Sequence, residues 1–233
     1  MAKKKPVKKV NMTKGINLSV CVPARDTVNT GFAYDLARMS ARWYANAPEG
    51  SAFNLHFLQG TLIADQRCKL VEMALRANAD WLLFLDSDMR FPIDLVDRLM
   101  AHDKDIVACN YATRRLPVKT VAFKDWAALE HVYSLGKSGL EQVAAVGMGA
   151  MLIRADVFKK LGYPWFQIHY VPSVKMWAGE DMFFCELARR AGLDIWIDHD
   201  ASQKVGHTGS LDFHHEHTED EMDAQNAKQE AAE

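Results

Sequence analysis

Residues 81–88 read WLLFLDSD: five large apolar side chains running straight into two aspartates separated by one serine. The run has no polar alternation, which is the pattern of a central strand covered by helices on both faces. The elements around it follow the same logic. INLSVCVPA (16–24) is rich in β-formers and ends at Pro23, as a first strand leading into a loop. From Thr27 to Ala45, Phe32, Leu36, Met39 and Trp43 recur on one helical face, and Asn46 and Pro48 end that helix. AFNLHFLQG (52–60) alternates as a second strand, and residues 63–77 form a helix with Cys68, Val71 and Leu75 on one side. After the third strand, PIDLVDRLMAHD opens with Pro92 near a helix start, and DIVACNYA gives a fourth strand.

The order β-α-β-α-β-α-β predicts a parallel, right-handed, doubly wound sheet over the first half, residues 15–110. Ligands of such sheets bind outside the carboxyl ends of the strands. The PARD stretch after the first strand and the DSD stretch after the third should then share one crevice. The second half, 111–211, is mixed. VKTVAF, EHVYSL and LEQVAAVGMGAMLI read as strands, and RADVFKKLG as a short helix stopped by Gly162. GEDMFFCELARRAG reads as an amphipathic helix with Phe184, Leu187 and Ala191 inward and Gly192 as its stop, and LDIWID and QKVGH close the fold as strands. With no linker between the halves, the expectation is one α/β domain over 15–211.

At 233 residues and net charge −2, nothing global suggests a nucleic-acid binder. The charge is uneven: Lys3, Lys4, Lys5, Lys8, Lys9 and Lys14 crowd a flexible basic tail (1–14), and residues 212–233 form an acidic one. No stretch reaches the ~18 apolar residues that span a bilayer, and no apolar h-region follows the basic start. Cys21, Cys68, Cys109 and Cys185 are widely spaced among apolar neighbours, the pattern of buried reduced thiols in a cytoplasmic protein.

Paired carboxylates repel unless a cation or hydrogen-bond donors offset their charge. Oxygen ligands with an incomplete shell suit Mg²⁺ or Mn²⁺, which fill the remaining positions with phosphate oxygens and water. The alternative for D-x-D is a strand end with a solvated turn. Neither G-x-x-x-x-G-K-[ST] nor G-x-G-x-x-G follows the first strand, so a phosphate here would be held by metal rather than by a glycine loop.

PARD, LLFLDSDMRFP, VGMGAMLIRADVF, GED opening a helix and a late VGHTG occur in one order. In that combination, over roughly residues 16–210, the chain resembles GT-A-fold glycosyltransferases, most nearly the small bacterial and phage members of glycosyltransferase family 2. The resemblance implies a Rossmann-like, mostly parallel sheet. It also implies a UDP- or GDP-linked sugar donor, a Mn²⁺ or Mg²⁺ ion at the D-x-D motif, and transfer to an acceptor hydroxyl. By resemblance, Pro23, Ala24, Arg25 and Asp26 would hold the nucleobase and ribose. Asp86, with Ser87 beside it, would lie against the ribose or a metal-bound water, and Asp88 and the late His207 would ligate the metal, with Asp86 counted beside them in the metal site. Asp181, with Glu180 beside it, would occupy the catalytic-base position, which favours inversion.

Each residue also has a plainer reading. Carboxylates in a first helical turn are favoured by the dipole, which suits Glu180 without any catalytic role. Gly147 and Gly149 allow close approach to a donor sugar or mark a bulge. Arg67 on the second helix, and Arg114 and Arg115 after the fourth strand, reach a diphosphate or are solvated. Trp165, Phe166, Tyr170 and Trp177 stack on sugars, form a lid or pack in the core. FHHEH (213–217) reads as an exposed stretch rather than a metal site. Among rival classes, a haloacid-dehalogenase-type phosphatase places D-x-D after its first strand, and a nucleotidyltransferase shows a Gly/Lys-rich loop there; this chain does neither. A non-catalytic nucleotide-sugar-binding protein is the third rival.

Overall fold

The computed structural model describes residues 15–114, 118–172 and 175–209; the two tails, FHHEH and Arg115 lie outside them. In chain order the elements are β1 (Asn17–Ala24), α1 (Thr30–Asn46), β2 (Ala52–Gln59), α2 (Ile63–Arg76), β3 (Trp81–Leu85), β4 (Met89–Arg90), α3 (Leu95–Met100) and β5 (Ile106–Ala108). The second half adds β6 (Ala122–Asp125), β7 (Glu130–His131), β8 (Leu140–Val143), β9 (Ala145–Val146), β10 (Ala150–Arg154) and α4 (Ala155–Lys160). It ends with β11 (His169–Val171), β12 (Met176–Ala178), α5 (Glu180–Arg190), β13 (Ile195–Asp198), α6 (His199–Ser202) and β14 (Gly206–His207).

The apolar run is β3, and it is central, in a seven-stranded sheet ordered β2-β1-β3-β10-β5-β13-β8. Alternate residues serve opposite faces. Leu82 and Phe84 join α2, α4 and α5 in one core cluster, while Trp81, Leu83 and Leu85 join α1 and α3 in the other. Burying each such side chain contributes on the order of 1.5–3 kcal/mol, so β3 cannot slip by a residue without exposing both clusters.

β2 and β3 flank β1 in parallel, as the β-α-β order predicts. The fourth strand does not continue that arrangement. β10, from the second half, inserts antiparallel between β3 and β5, and β13 then pairs parallel to β5. The sheet remains mostly parallel in direction, with β10 and β8 the two reversed strands. Periodicity cannot disclose this insertion, because the apolar run that opens β10, Ala150 to Ile153, satisfies either neighbour equally well. The two expected halves therefore share one sheet.

Local boundaries shift for identifiable reasons. α1 starts at Thr30 rather than Thr27 because Asn29 caps it, its side chain accepting from Gly31 N at 2.8 Å. α4 ends with Leu161 in extended backbone, so Gly162 is not the stop. In α5 the buried face is Phe184, Cys185 and Ala188; Ala191 is exposed at the frayed end, where Gly192 does take the left-handed φ of +77°. All four cysteines are buried and free. Among the described residues no helix is long and apolar enough to cross a membrane.

Candidate active site

A cleft of about 560 Å³ opens at the carboxyl edge of β1, β2 and β3. The end of β1 contributes Pro23, Ala24 and Arg25; the chain after β3 contributes Asp86, Ser87 and Asp88; the start of α5 contributes Glu180 and Asp181; and His207, Arg67 and Arg114 complete the polar wall. The rule that ligands gather at the carboxyl ends of parallel strands thus brings together most of the residues the sequence singles out.

The aspartates divide at once into two environments. Asp86 faces Arg67, whose Nη2 donates to Asp86 Oδ1 at 2.8 Å while its Nε donates to Glu180 Oε1 at 2.9 Å. Arg67 Nη1 lies 3.4 Å from the Met148 carbonyl, and the guanidinium carbon stands 5.8 Å from the centre of the Phe84 ring. Burial alone would lower the arginine's affinity for its proton, but Asp86 and Glu180 outweigh it and hold the charge firmly. With 3% exposure and its donors committed to two carboxylates and a carbonyl, Arg67 braces the floor of the cleft. That geometry corrects the expectation of an arginine extended toward a diphosphate.

Asp181 follows Glu180 directly. Desolvation by burial, and then the negative charge of Glu180, push its carboxyl up to about 6, with Arg67 pulling the other way. Its Oδ1 accepts from Met182 N at 2.8 Å, which fixes the carboxylate's orientation. Gly179 makes room for it, since a Cβ there would stand 2.6 Å from that same oxygen.

Asp88 belongs to the second environment. β14 pairs antiparallel with β4, setting His207 opposite Met89, and Thr208 N donates to Asp88 O at 2.9 Å. This short ladder brings His207 Nε2 to 3.3 Å from Asp88 Oδ1, while Arg114 Nη1 lies 2.7 Å from Asp88 Oδ2. Burial would raise the Asp88 carboxyl, but the hydrogen bond and charge of His207 and the charge of Arg114 outweigh it and hold it below the usual range.

His207 Nδ1 lies 3.1 Å from the Ala112 carbonyl. A carbonyl only accepts, so Nδ1 carries a hydrogen; with a proton on Nε2 as well, the ring donates to Asp88, and without that proton it turns the Nε2 lone pair toward the carboxylate. Two acceptors at that distance call for a proton or a cation between them. Neighbouring ligand atoms of an octahedral divalent ion stand roughly 3 Å apart, so the pair fits two positions of such a shell. Among the described residues no third His, Cys, Asp or Glu joins them as a complete protein cage. An ion held there would take one hard oxygen and one imidazole from these two side chains, with its remaining positions left to water or ligand oxygens.

Four expected residues stand elsewhere. Asp26 is exposed, and among the described residues its carboxylate pairs with Arg25 alone, at 3.4 Å. Trp177 is 70% exposed on the β11–β12 hairpin, edge-on to Tyr170 at 5.6 Å, and does not line the cleft. Gly147 and Gly149 do permit a close approach, but to Tyr111: a Cβ on either would come within 2.6 Å or 2.7 Å of its Oη. Gly149 N donates to that oxygen at 3.0 Å, and the Tyr111 ring meets His207 edge-on at 5.4 Å. Other wall residues carry no motif. Gly60, Thr61 and Ile63 follow β2, and the strand-end rule alone points to them. Gln66, buried, donates from Nε2 to Ala24 O at 2.8 Å and so ties the β1 loop to α2.

The architecture is the GT-A fold. The family model described as Anp1 matches residues 46–134, which include β3 and both aspartates. A197 from STIV aligns at 16% identity over 86% of this chain and 100% of its own, with a TM-score of 0.54. The catalytic domain of Drosophila β1,4-galactosyltransferase 7, solved with xylobiose, aligns at 17% identity over 84% of this chain and 71% of that one, with a TM-score of 0.50. A substituted form of the Drosophila enzyme, solved with manganese, UDP-Gal and xylobiose, aligns at 16% identity over 87% and 79%, with a TM-score of 0.50. No curated protein matches the chain in sequence.

Proposed function

We propose that the chain is a cation-dependent glycosyltransferase that moves a sugar from a nucleoside-diphosphate donor to an acceptor hydroxyl, with inversion at the anomeric carbon. The observation that carries this reading is the juxtaposition of two unlike sub-sites in one cleft. Asp88 and His207 offer an incomplete oxygen–imidazole shell 3.3 Å apart, and Asp181 stands in the same cleft with a raised pKa. The Drosophila enzyme solved with manganese and UDP-Gal supports the choice of a nucleotide sugar and of Mn²⁺ or Mg²⁺.

In this reading Pro23, Ala24 and Arg25 form the nucleoside end of the cleft, and Asp88 and His207 hold the cation. When bound, the cation neutralises charge that grows on the departing diphosphate. Glu180, committed to Arg67, serves as fixed counter-charge, which leaves Asp181 to take the proton from the acceptor hydroxyl. A carboxylate tuned to about 6 is ionised at neutral pH and is a stronger base than an ordinary aspartate. Asp86, fixed by Arg67, presents the rest of its carboxylate to the ribose side. Trp177 and Tyr170, on the hairpin that leads into Glu180, would meet an acceptor only if that hairpin moves. The buried free thiols suit a reducing compartment, and we place the protein in the cytoplasm.

The test is thermal unfolding with UDP-, GDP- and CDP-sugars, with and without Mn²⁺. A shift that needs both nucleotide and metal is expected for one base. No shift with any nucleotide in the presence of metal would sink the reading.

A further inference from the structure

Of the three arginines that line the cleft, Arg67 and Arg114 are of different kinds. Arg67 is buried and fixed by three acceptors. Among the described residues Arg114 makes one ion pair, Nη1 to Asp88 Oδ2 at 2.7 Å, with its side chain 48% exposed. Its backbone is anchored nearby: Thr113 N donates to Lys119 O at 2.7 Å, and Lys119 N to Thr113 Oγ1 at 3.1 Å. The stem runs past Gly209, where a Cβ would stand 3.6 Å from Arg114 Cδ. A held backbone and a half-exposed guanidinium let the charged end swing without any change of fold.

The carboxylate that Arg114 occupies is the one proposed above to hold the cation. A guanidinium and a divalent cation compete for the same oxygen lone pairs, and their like charges repel at that distance. We propose that Arg114 is an exchangeable counter-ion: it neutralises Asp88 until a divalent cation takes that carboxylate, and its guanidinium then binds the donor's diphosphate. Arg114 already lines the cleft, so the transfer asks only for side-chain rotation. Its planar fork of donors matches phosphate oxygens, whereas an ammonium would supply only a point charge. The inference rests on the glycosyltransferase reading and adds a residue to its donor site.

Competition and recruitment pull in opposite directions, and calorimetry can separate them. Mn²⁺ alone, and then UDP, GDP or CDP at saturating Mn²⁺, are titrated into the wild type, Arg114→Gln and Arg114→Lys. Arg114→Gln should bind Mn²⁺ alone roughly two- to fivefold more tightly, having lost a competing half-exposed ion pair. The same variant should bind the nucleotide with Mn²⁺ about tenfold more weakly, having lost a charge-assisted hydrogen bond to phosphate. Arg114→Lys should recover part of the nucleotide affinity. A merely structural arginine would weaken both titrations when removed, and that result, or no change in either, overturns the inference while leaving the function standing. A wild type that binds no nucleotide with Mn²⁺ overturns both.

Discussion

Arg67 and Glu180 are 113 residues apart in the chain and 2.9 Å apart in the fold. Through its second carboxylate partner, Asp86, the same arginine fastens the end of β3 to the first turn of α5. The two acidic motifs of the cleft are thus held in register by one buried cation.

Replacing Arg67 by Ala should destabilise the fold by about 3–5 kcal/mol, because removing one partner strands two carboxylates in a buried setting. Arg67→Lys should also lose stability, since one ammonium cannot span both carboxylates and the Met148 carbonyl. Urea unfolding at pH 7 measures both. A loss below about 1 kcal/mol at pH 7 would show that the pair is not a brace.

Asp181 sets stability and activity against each other. Its folded carboxyl is pushed up to about 6 from an ordinary 3.8, so between those values the folded chain binds more protons than the unfolded one. Stability then falls as pH rises through that window, and at pH 8 the ionised carboxylate is a cost. Asp181→Asn should therefore be more stable than the wild type at pH 8, by on the order of 1 kcal/mol, and lose that advantage at pH 4. In activity the sign reverses. Wild-type turnover should drop below about pH 6 as the base is protonated, and Asp181→Asn should lose about 10²- to 10⁴-fold. Unfolding curves and a pH–rate profile check the two halves separately.

What the sequence discloses here is local. The uninterrupted burial of β3, the aspartates at its end, the glutamate–aspartate pair opening α5 and the glycine-flanked His207 each follow from short-range pattern, and each lies at the cleft. What it hides is long-range pairing. β10 separates β3 from β5 because an apolar strand satisfies either neighbour, and no periodicity records which one it joins. Arg67 lies on the buried side of α2, where the apolar pattern breaks, and its inward course makes sense only once Glu180 is beside it. Gly147 and Gly149 do mark a close approach, yet the occupant, Tyr111, is far away in sequence and carries no motif of its own.

That last contact is testable by itself. A methyl group on Gly149 would come within 2.7 Å of Tyr111 Oη and 3.1 Å of Met89 Sδ. Tyr111 is buried and its ring meets His207 edge-on, so a displaced ring presses on the imidazole. Gly149→Ala should cost about 1–3 kcal/mol as overpacking and weaken Mn²⁺-dependent nucleotide binding by displacing the imidazole. Combining it with Tyr111→Phe, which shortens the side chain by the clashing oxygen, should restore part of both. Calorimetry and thermal unfolding of the single and double variants read the two effects.

The sharpest test falls on the pair that the β4–β14 ladder brings together. Asp88→Asn keeps the shape of the side chain and an oxygen that can still face Arg114, but it removes the negative charge a divalent cation needs. His207→Ala removes the imidazole while leaving its Gly206 neighbour on the ladder. Each should lower the affinity for UDP or its equivalent in the presence of Mn²⁺ by at least about 10-fold, with little effect on whatever binding survives without metal. If both side chains hold one ion, the losses cannot add: once the first ligand is gone, the second has little left to contribute. The double variant should then resemble the weaker-binding single variant rather than the sum. Fully additive losses would mean that Asp88 and His207 act on the nucleotide independently. Equal affinity with and without Mn²⁺ in the wild type would mean that their closeness serves the fold, by tying β14 to the end of β3, and not a cation.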